Sequence, residues 1–213
     1  MLKVGLDVSP LALTRAGTAR YLRSLRAALQ NEPVEVLQYE LAGEGRRRKL
    51  WRDTAWYLGA LPRAARRDAV DVLHCPTQRA PFRPLVPLVV TIHDLAVLRH
   101  PEAFNVWTRR YSSFALPRIV RAAQRIIVGS EFTRGELVEL LDVPDEKLRV
   151  IPYGVGGAFR APDVPTSAGD YVLAVSTLEP RKNLPGLIEA FDRADLDGVE
   201  LRVVGAEGWG DVQ

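Results

Sequence analysis

The sequence is short of the residues that build disulfide-bonded or metal-binding domains. Its 213 residues contain one cysteine, Cys75, and three histidines. A single cysteine excludes an internal disulfide and a cysteine-rich metal site, and no third ligand stands at a spacing suited to zinc. We therefore expect a protein of a reducing compartment, the cytoplasm.

Long apolar runs are also missing. No stretch reaches the roughly 18 apolar residues of a membrane-spanning helix. The opening run MLKVGLDVSPL is too short for a secretory signal, and we expect none. The net charge of +3 does not by itself indicate nucleic-acid binding, and no RNA or DNA motif is present, so no nucleic-acid partner is expected.

Short apolar runs alternate with helical patterns through the first part of the chain. This alternation predicts an α/β fold, a Rossmann-like parallel sheet with helices on both faces. The predicted strands are Leu2–Val8, Val34–Gln38, Val70–His74, Leu88–Ile92, Arg125–Val128 and Leu148–Ile151. Apolar residues at helical spacing form three groups: Leu22, Leu25 and Leu29; Leu50, Thr54, Leu58 and Leu61; Phe104, Trp107, Tyr111 and Phe114. A further helix is predicted over Glu131–Leu141, with Ser130 as its N-cap.

A glycine- and proline-rich stretch then interrupts the pattern. We expect an N-terminal domain over residues 1–152, a linker over 153–169 and a second, more acidic domain over 170–213. The second domain holds strands at Tyr171–Val175 and Glu200–Val204 around a helix, Asn183–Ala194, capped by Asn183. One such unit cannot bury both faces of a parallel sheet, so this domain is expected to be incomplete.

The end of the fourth predicted strand carries His93 and Asp94. In open α/β sheets, ligands bind outside the carboxyl ends of the strands, and His74 ends the neighbouring strand, so two imidazoles are candidates for one crevice. His93 has the chemistry to donate to a sugar hydroxyl or a phosphate, and Asp94 to fix its tautomer or to cap the next turn. The alternative is a histidine satisfied within the core.

Two other places suit a phosphate. Arg181 and Lys182 stand together where the second-domain helix begins, and a helix N-terminus attracts anions. The alternative is that this segment is a solvated turn.

Gly17 precedes the first helix in the loop SPLALTRAGTARY, where a backbone can approach a ligand closely. The alternative is that Gly17 is a plain turn glycine. This loop lacks the G-x-G-x-x-G pattern of NAD-binding proteins.

Residues 45–68 are rich in arginine, with Trp51, Trp56, Tyr57 and Leu58 among the basic side chains. Basic amphipathic helices with aromatic residues often lie on anionic membranes. The alternative is a solvated helix whose aromatic residues face the core.

Five ordered segments carry a family resemblance. They are DVLHCPTQRAPF, TIHDLAVLRHPEAF, IIVGSEFTRGEL, LRVIPYGV and YVLAVSTLEPRKNLPGLIEAF. Together they resemble the retaining glycosyltransferases of family 4, which have the two-domain GT-B fold. The resemblance implies metal-independent transfer of a sugar from a nucleotide-sugar to a polysaccharide, lipopolysaccharide or glycolipid, with retention and without a cofactor. The basic N-terminal domain would face the acceptor and contact the inner face of an anionic membrane peripherally.

The resemblance also implies roles for matching residues. Gly17 would face the donor diphosphate and the acceptor. His93 would be the catalytic residue, which contacts the transferred sugar or stabilises the reacting centre. Arg181 and Lys182 would hold the diphosphate and neutralise the charge that leaves with the nucleotide. The remaining candidates for the cleft are Asp94, His74 and Arg20.

The chain departs from the family pattern in four places. Ala19 replaces a glycine before Arg20, Ser176 replaces a glycine, and Tyr153 replaces the usual asparagine. The family's acidic E-x7-E motif, which binds the donor sugar and ribose, is expected downstream of residue 213. We therefore expect a truncated enzyme that gives no turnover as residues 1–213 alone. The alternatives are a non-catalytic module that binds a membrane or a partner, and a nucleotide-sugar epimerase of the same fold, which TIHDL and EPRKN disfavour.

Overall fold

The strands of the described residues form two separate sheets, one in each of two units. The computed structural model describes residues 1–12, 17–41, 51–156, 159–160, 170–178 and 182–206, apart from the side chains of residues 52–54. The two units are Met1–Gly156 and Gly157–Gln213, and each is described by itself.

The described residues of the first unit form six strands and five α-helices. The strands are β1 (Leu2–Asp7), β2 (Val34–Tyr39), β3 (Val72–Cys75), β4 (Leu88–Ile92), β5 (Arg125–Val128) and β6 (Leu148–Val150). The α-helices are α1 (Gly17–Leu29), α2 (Leu61–Arg67), α3 (Ala96–Arg99), α4 (Val106–Ala122) and α5 (Glu131–Leu141). A π-helical segment, Arg52–Ala60, precedes α2, and short 3-10 turns cover Ser9–Ala12, Pro101–Ala103 and Asp145–Lys147.

The six strands form one parallel sheet in the order β2-β1-β3-β4-β5-β6. β2 lies on one side of β1, and β3 to β6 lie on its other side. The order therefore reverses between β1 and β3, and the space outside the carboxyl ends of these strands is the place where doubly wound sheets bind ligands. The predicted Rossmann-like α/β fold is confirmed.

The two faces of this sheet are covered by different helices. On one face Leu22 of α1 is fully buried with Leu6 and Val8 of the β1 region, and Leu25 and Leu29 pack against them. On the other face a larger cluster joins the π-helical segment, α2, α4 and α5 to the strands. The predicted spacing of Leu22, Leu25 and Leu29 is confirmed as the core face of a helix.

The helix face predicted through Leu58 is wrong. Tyr57 is 1% exposed, whereas Leu58 is 50% exposed. The cause is the wider π-helical turn, in which the backbone N–H of Leu61 bonds to the carbonyl of Trp56, five residues earlier. This turn shifts the buried side from Leu58 to Tyr57, while Leu61 stays buried. Leu50 and the side chain of Thr54 lie outside the described part of the chain.

The aromatic helix of the first unit also differs from its prediction. α4 begins at Val106 with Asn105 as its cap, so Phe104 precedes it. Trp107 and Phe114 are about half exposed, and the buried positions are Ser112, Ala115, Leu116, Ile119 and Val120. The aromatic spacing therefore predicted a helix in this region, but the aromatic residues Trp107 and Phe114 do not form the face that packs on the core. Ser130 caps α5 as predicted, because its hydroxyl accepts the backbone N–H of Thr133 at 3.2 Å.

In the part of the second unit that the structure describes, two parallel strands, β7 (Tyr171–Val175) and β8 (Glu200–Val204), are joined by α6 (Leu184–Arg193). Asn183 stands at the N-cap position of α6, but its side chain makes no capping hydrogen bond and its backbone is left-handed, with φ of 49°. Side-chain capping by Asn183 is therefore a wrong prediction, while Pro185 lies in the first turn as predicted. No helix among the described residues has the length and apolarity needed to cross a membrane.

Candidate functional site

The carboxyl edge of the first sheet gathers polar side chains from several strands. His93 follows β4, Pro76 follows β3, and Tyr153 lies three residues after β6. The first helix, α1, adds Tyr21 at the same place, since its ring contacts both His93 and Tyr153. This group is called the His93 cluster below, and it consists of Tyr21, Pro76, His93 and Tyr153.

Both ring nitrogens of His93 have partners. Nε2 lies 3.1 Å from the carbonyl oxygen of Pro76, and Nδ1 lies 2.6 Å from the hydroxyl of Tyr153. A carbonyl oxygen only accepts, so Nε2 carries the proton. Burial lowers the pKa of His93 below its ordinary value, against smaller opposing effects of the Pro76 carbonyl and Asp94, so the ring is neutral at neutral pH. Nδ1 is then an acceptor, and the Tyr153 hydroxyl donates to it.

Tyr153 is held in place by close packing. A side chain at Gly129, at the end of β5, would collide with the Tyr153 ring, so the ring lies directly on the glycine backbone. The Tyr21 ring meets it edge-on with centroids 5.6 Å apart. Burial raises the pKa of the Tyr153 phenol, and Tyr21 and Asp94 add to this, so the hydroxyl keeps its proton. Tyr153 was not among the predicted site residues; its replacement of the family's asparagine was the available signal.

Asp94 does not hold the His93 ring. Its carboxylate accepts the backbone N–H of Ala96 at 3.1 Å, so it caps the turn that leads into α3. Of the two roles open to Asp94, the structure supports the capping one. The other side of this loop is fixed by Thr133, whose hydroxyl donates to the backbone carbonyl of His93 at 3.4 Å.

His74 is buried and faces Thr91 rather than an open crevice. Its Nε2 lies 2.9 Å from the Thr91 hydroxyl, which also bonds to the Tyr21 hydroxyl at 3.2 Å. Burial lowers the pKa of His74 to about 4. The interpretation of His74 as a polar group satisfied inside the fold therefore matches the contacts, and through Thr91 it supports Tyr21 of the His93 cluster.

A buried carboxylate ends β1, at the point where the strand order reverses. Asp7 is fully buried, accepts the hydroxyl of Tyr57 at 2.7 Å, and accepts the backbone N–H of Ser9 at 3.1 Å. The Ser9 hydroxyl in turn accepts the backbone N–H of Leu41. These bonds fix the start of the loop that leads to α1. Asp7 was missed by the sequence analysis because it ends an apolar run without any recognisable motif.

The start of α1 carries the two remaining candidates of this unit. Gly17 is the first residue of the helix and is exposed, and a side chain there would meet nothing within 4 Å. Packing therefore does not demand this glycine. Arg20 is exposed one turn later, and the alanine at position 19 is fully buried. Residues 13–16, which complete the loop, lie outside the described part of the chain.

The comparison with known families covers the same unit. The model of Glycosyltransferase Family 4 matches residues 15–156, which is more than half of the chain. The chain belongs to glycosyltransferase family 4. The family match ends where the first unit ends, at residue 156, and it contains the whole His93 cluster.

Two individual proteins are similar to this family 4 chain. The O-antigen chain mannosyltransferase B of Escherichia coli is 26% identical over 205 residues, which are 88% of this chain and 49% of that protein. The chain thus spans about half the length of this relative. A crystal structure of a glycosyltransferase from Rickettsia africae ESF-5 is 13% identical, with a TM-score of 0.42 over 97% of this chain and 69% of the other. At that TM-score the likeness carries no argument.

The second unit of this family 4 chain holds the cationic pair. Lys182 is exposed, two residues before α6 begins, and Arg181 lies outside the described part of the chain. The first turn of α6, in which Pro185 has no N–H, leaves the backbone N–H groups of Leu184 and Gly186 without helical partners at the end beside Lys182.

A basic groove lies on the helical side of the first unit. It has a volume of about 580 Å³ and is lined by Leu58, Phe82, Arg83, Phe114, Arg118, Arg121 and Ala122. The guanidinium of Arg118 lies over the Phe114 ring at 3.7 Å, and Phe82 meets that ring edge-on. Within the described part of the chain, none of the three arginines forms an ion pair with a carboxylate. No group of three or more potential metal ligands is found among the described residues.

Proposed function

We propose that this chain forms the acceptor-side domain and the beginning of the donor-side domain of a glycosyltransferase. The enzyme transfers a sugar from a nucleotide-sugar to a saccharide or glycolipid acceptor. The match to family 4 over residues 15–156 carries this proposal. The relative named a mannosyltransferase suggests mannose as the first sugar to test.

The His93 cluster supports a sugar site at the carboxyl edge of the sheet. Its polar groups are neutral, partly exposed and held in fixed positions, which suits hydroxyl groups better than ions. Tyr21, His93 and Tyr153 also supply ring surfaces. In this proposal Asp94, His74 and Arg20 shape the site: Asp94 through its turn, His74 through Thr91, and Arg20 from the exposed side of α1.

In the second unit, the donor diphosphate is assigned to Lys182 and Arg181, with the N-terminus of α6 adding backbone N–H groups. The assignment of Gly17 to the diphosphate stays a prediction. Cationic side chains and free N–H groups stabilise the negative charge that develops on a leaving nucleoside diphosphate. We therefore propose transfer without a metal or cofactor, and with retention at the anomeric carbon as in the family that the sequence resembles.

The Lys182→Ala substitution tests the donor assignment in the native protein. Loss of one charge-assisted contact should weaken nucleoside diphosphate binding by about ten-fold or more in isothermal titration. Arg193→Ala is the matched control, because Arg193 is an exposed cation at the other end of α6, paired with Glu189. Unchanged affinity in the Lys182 variant, or equal losses in both, contradicts the assignment.

The reaction is tested with a panel of nucleotide-sugars and lipid or oligosaccharide acceptors. The proposal predicts glycosylated acceptor, unaffected by a metal chelator, with the anomeric configuration of the donor kept in the product as measured by NMR. Release of an epimerised nucleotide-sugar instead would support the epimerase alternative. The same assay on residues 1–213 alone tests the expectation of no turnover.

A second candidate function is binding to an anionic membrane, and the basic groove favours it. Three arginines that have no carboxylate partner among the described residues surround apolar side chains, an arrangement that suits lipid phosphates above an apolar layer. Sedimentation with phosphatidylglycerol vesicles should show binding that falls at high salt, and phosphatidylcholine vesicles should not bind. Membrane binding without any transfer activity would favour the non-catalytic module. Binding together with transfer would support the peripheral enzyme.

A further inference from the structure

A directed series of hydrogen bonds runs through the His93 cluster. The Pro76 carbonyl accepts from Nε2 of His93, and Nδ1 of His93 accepts from the Tyr153 hydroxyl. Neither nitrogen is left for a ligand. The series ends at the phenol oxygen of Tyr153, whose side chain is 48% exposed.

We propose that Tyr153 is the ligand-contacting group of this cluster, that His93 is its positioning residue, and that the phenol oxygen accepts a hydrogen bond from a sugar hydroxyl. The sugar as ligand class rests on the proposed function. The direction of the hydrogen bonds rests on the structure alone, and the two parts are tested separately below.

The direction of the series determines what the site can bind. The only proton of the phenol is committed to His93, so the oxygen offers lone pairs and no donor. A sugar hydroxyl can donate to it, whereas an ionised phosphodiester, which carries no P–OH group, has no proton to give. The nearby Asp94 carboxylate adds negative charge that also disfavours an anion. This corner of the crevice therefore selects a neutral sugar and leaves the diphosphate to other residues.

The packing keeps the oxygen in one place. The Tyr153 ring lies on Gly129, meets Tyr21 edge-on, and has its centroid 5.6 Å from that of His93. The His93 backbone is fixed as well, through the Thr133 hydroxyl. A freely rotating tyrosine hydroxyl could donate a hydrogen bond to a ligand or accept one from it. The Tyr153 hydroxyl, whose proton is held by His93, can only accept one.

The first experiment measures the hydrogen bonds without any ligand. In the 15N-labelled chain, side-chain NMR at neutral pH should show His93 protonated at Nε2 only. Tyr153→Phe removes the donor to Nδ1, should move the Nδ1 signal, and should lower the preference for this tautomer about five-fold, the factor for about 1 kcal/mol. Tyr39→Phe is the matched control, because its hydroxyl bonds to Asp68. An Nδ1-protonated ring, or an unchanged Nδ1 signal in Tyr153→Phe, overturns the proposed direction.

The second experiment tests the ligand. The chain is labelled with 13C-tyrosine and titrated with methyl α-mannopyranoside and, separately, with dimethyl phosphate, an anion that has no proton to donate. The Tyr153 ring signals should move with the sugar and not with dimethyl phosphate, and Tyr153→Phe should weaken sugar binding about five-fold. A response to dimethyl phosphate, or none to the sugar, overturns the contact. A protein that passes both experiments and transfers no sugar would contradict the proposed function while leaving this inference intact.

Discussion

Replacing Tyr57 with phenylalanine removes one hydroxyl from a buried carboxylate at the carboxyl end of β1. The Tyr57 hydroxyl donates to Asp7 at 2.7 Å. Tyr57 is 1% exposed and Asp7 is fully buried, so water cannot take the place of the lost donor without rearrangement. The substitution leaves the ring and its packing in place and isolates the hydrogen bond.

The expected loss follows from the charge and the burial. A hydrogen bond to a charged group contributes about 1.5–3 kcal/mol, so the free energy of unfolding should fall by about 2 kcal/mol. For a domain of this size, about 1 kcal/mol moves the melting temperature by about 2–4 °C, which gives a decrease of about 4–8 °C. Asp7 keeps its bond to the backbone of Ser9, so the loop should not unfold locally.

Urea denaturation followed by circular dichroism measures this difference. Tyr39→Phe is the matched control, since the Tyr39 hydroxyl bonds to Asp68, whose side chain is 26% exposed. Water can replace that donor, and the control should lose less than about 1 kcal/mol. Equal losses in the two variants, or a Tyr57 variant as stable as the parent, would refute the argument from burial.

Three further substitutions test other parts of the first unit. Burial lowers the pKa of His74 to about 4 in the folded chain, from the ordinary value of 6.5. As the pH falls, the unfolded chain therefore takes up this proton before the folded chain does. The free energy of unfolding should be full above pH 6.5 and should fall by about 3 kcal/mol by about pH 4. In denaturation at several pH values, His74→Asn should lack this part of the pH dependence; an identical slope would contradict it. Ser130→Ala removes the cap of α5 and should cost about 1 kcal/mol in urea denaturation, while no loss would mean the cap is dispensable. Gly129→Ala should displace the Tyr153 ring and move the Nδ1 signal of His93, whereas Gly135→Ala, with open space around it, should not.

The central strands β3 and β4 were predictable because parallel strands that are buried on both faces appear as apolar runs. The predicted strands of the first unit differ from the observed ones by at most two residues at an end. Helix faces were less predictable. The π-helical turn at Tyr57 changes the number of residues per turn, and no residue type announces such a turn in advance.

The positions of the site residues were partly predictable and their contacts were not. Placement of His93 and Asp94 at a strand end follows from topology, which brings all carboxyl ends to one edge. The partner of His93 is Tyr153, 60 residues later, in a stretch expected to be a linker. Local patterns do not report pairs so far apart in sequence. The burial of His74 and Asp7 depends in the same way on neighbours from other elements.

The measurement that tests the central claim most directly is sugar transfer by the native protein, purified from the cell that makes it. It is incubated with radiolabelled nucleotide-sugars and membrane lipids, and its intact mass is recorded for comparison with 23.7 kDa. We predict labelled acceptor from at least one donor, reduced by Lys182→Ala and by Tyr153→Phe. A folded native protein that labels no acceptor from any donor would contradict the assignment as a glycosyltransferase, and undiminished transfer by both variants would contradict the assigned site.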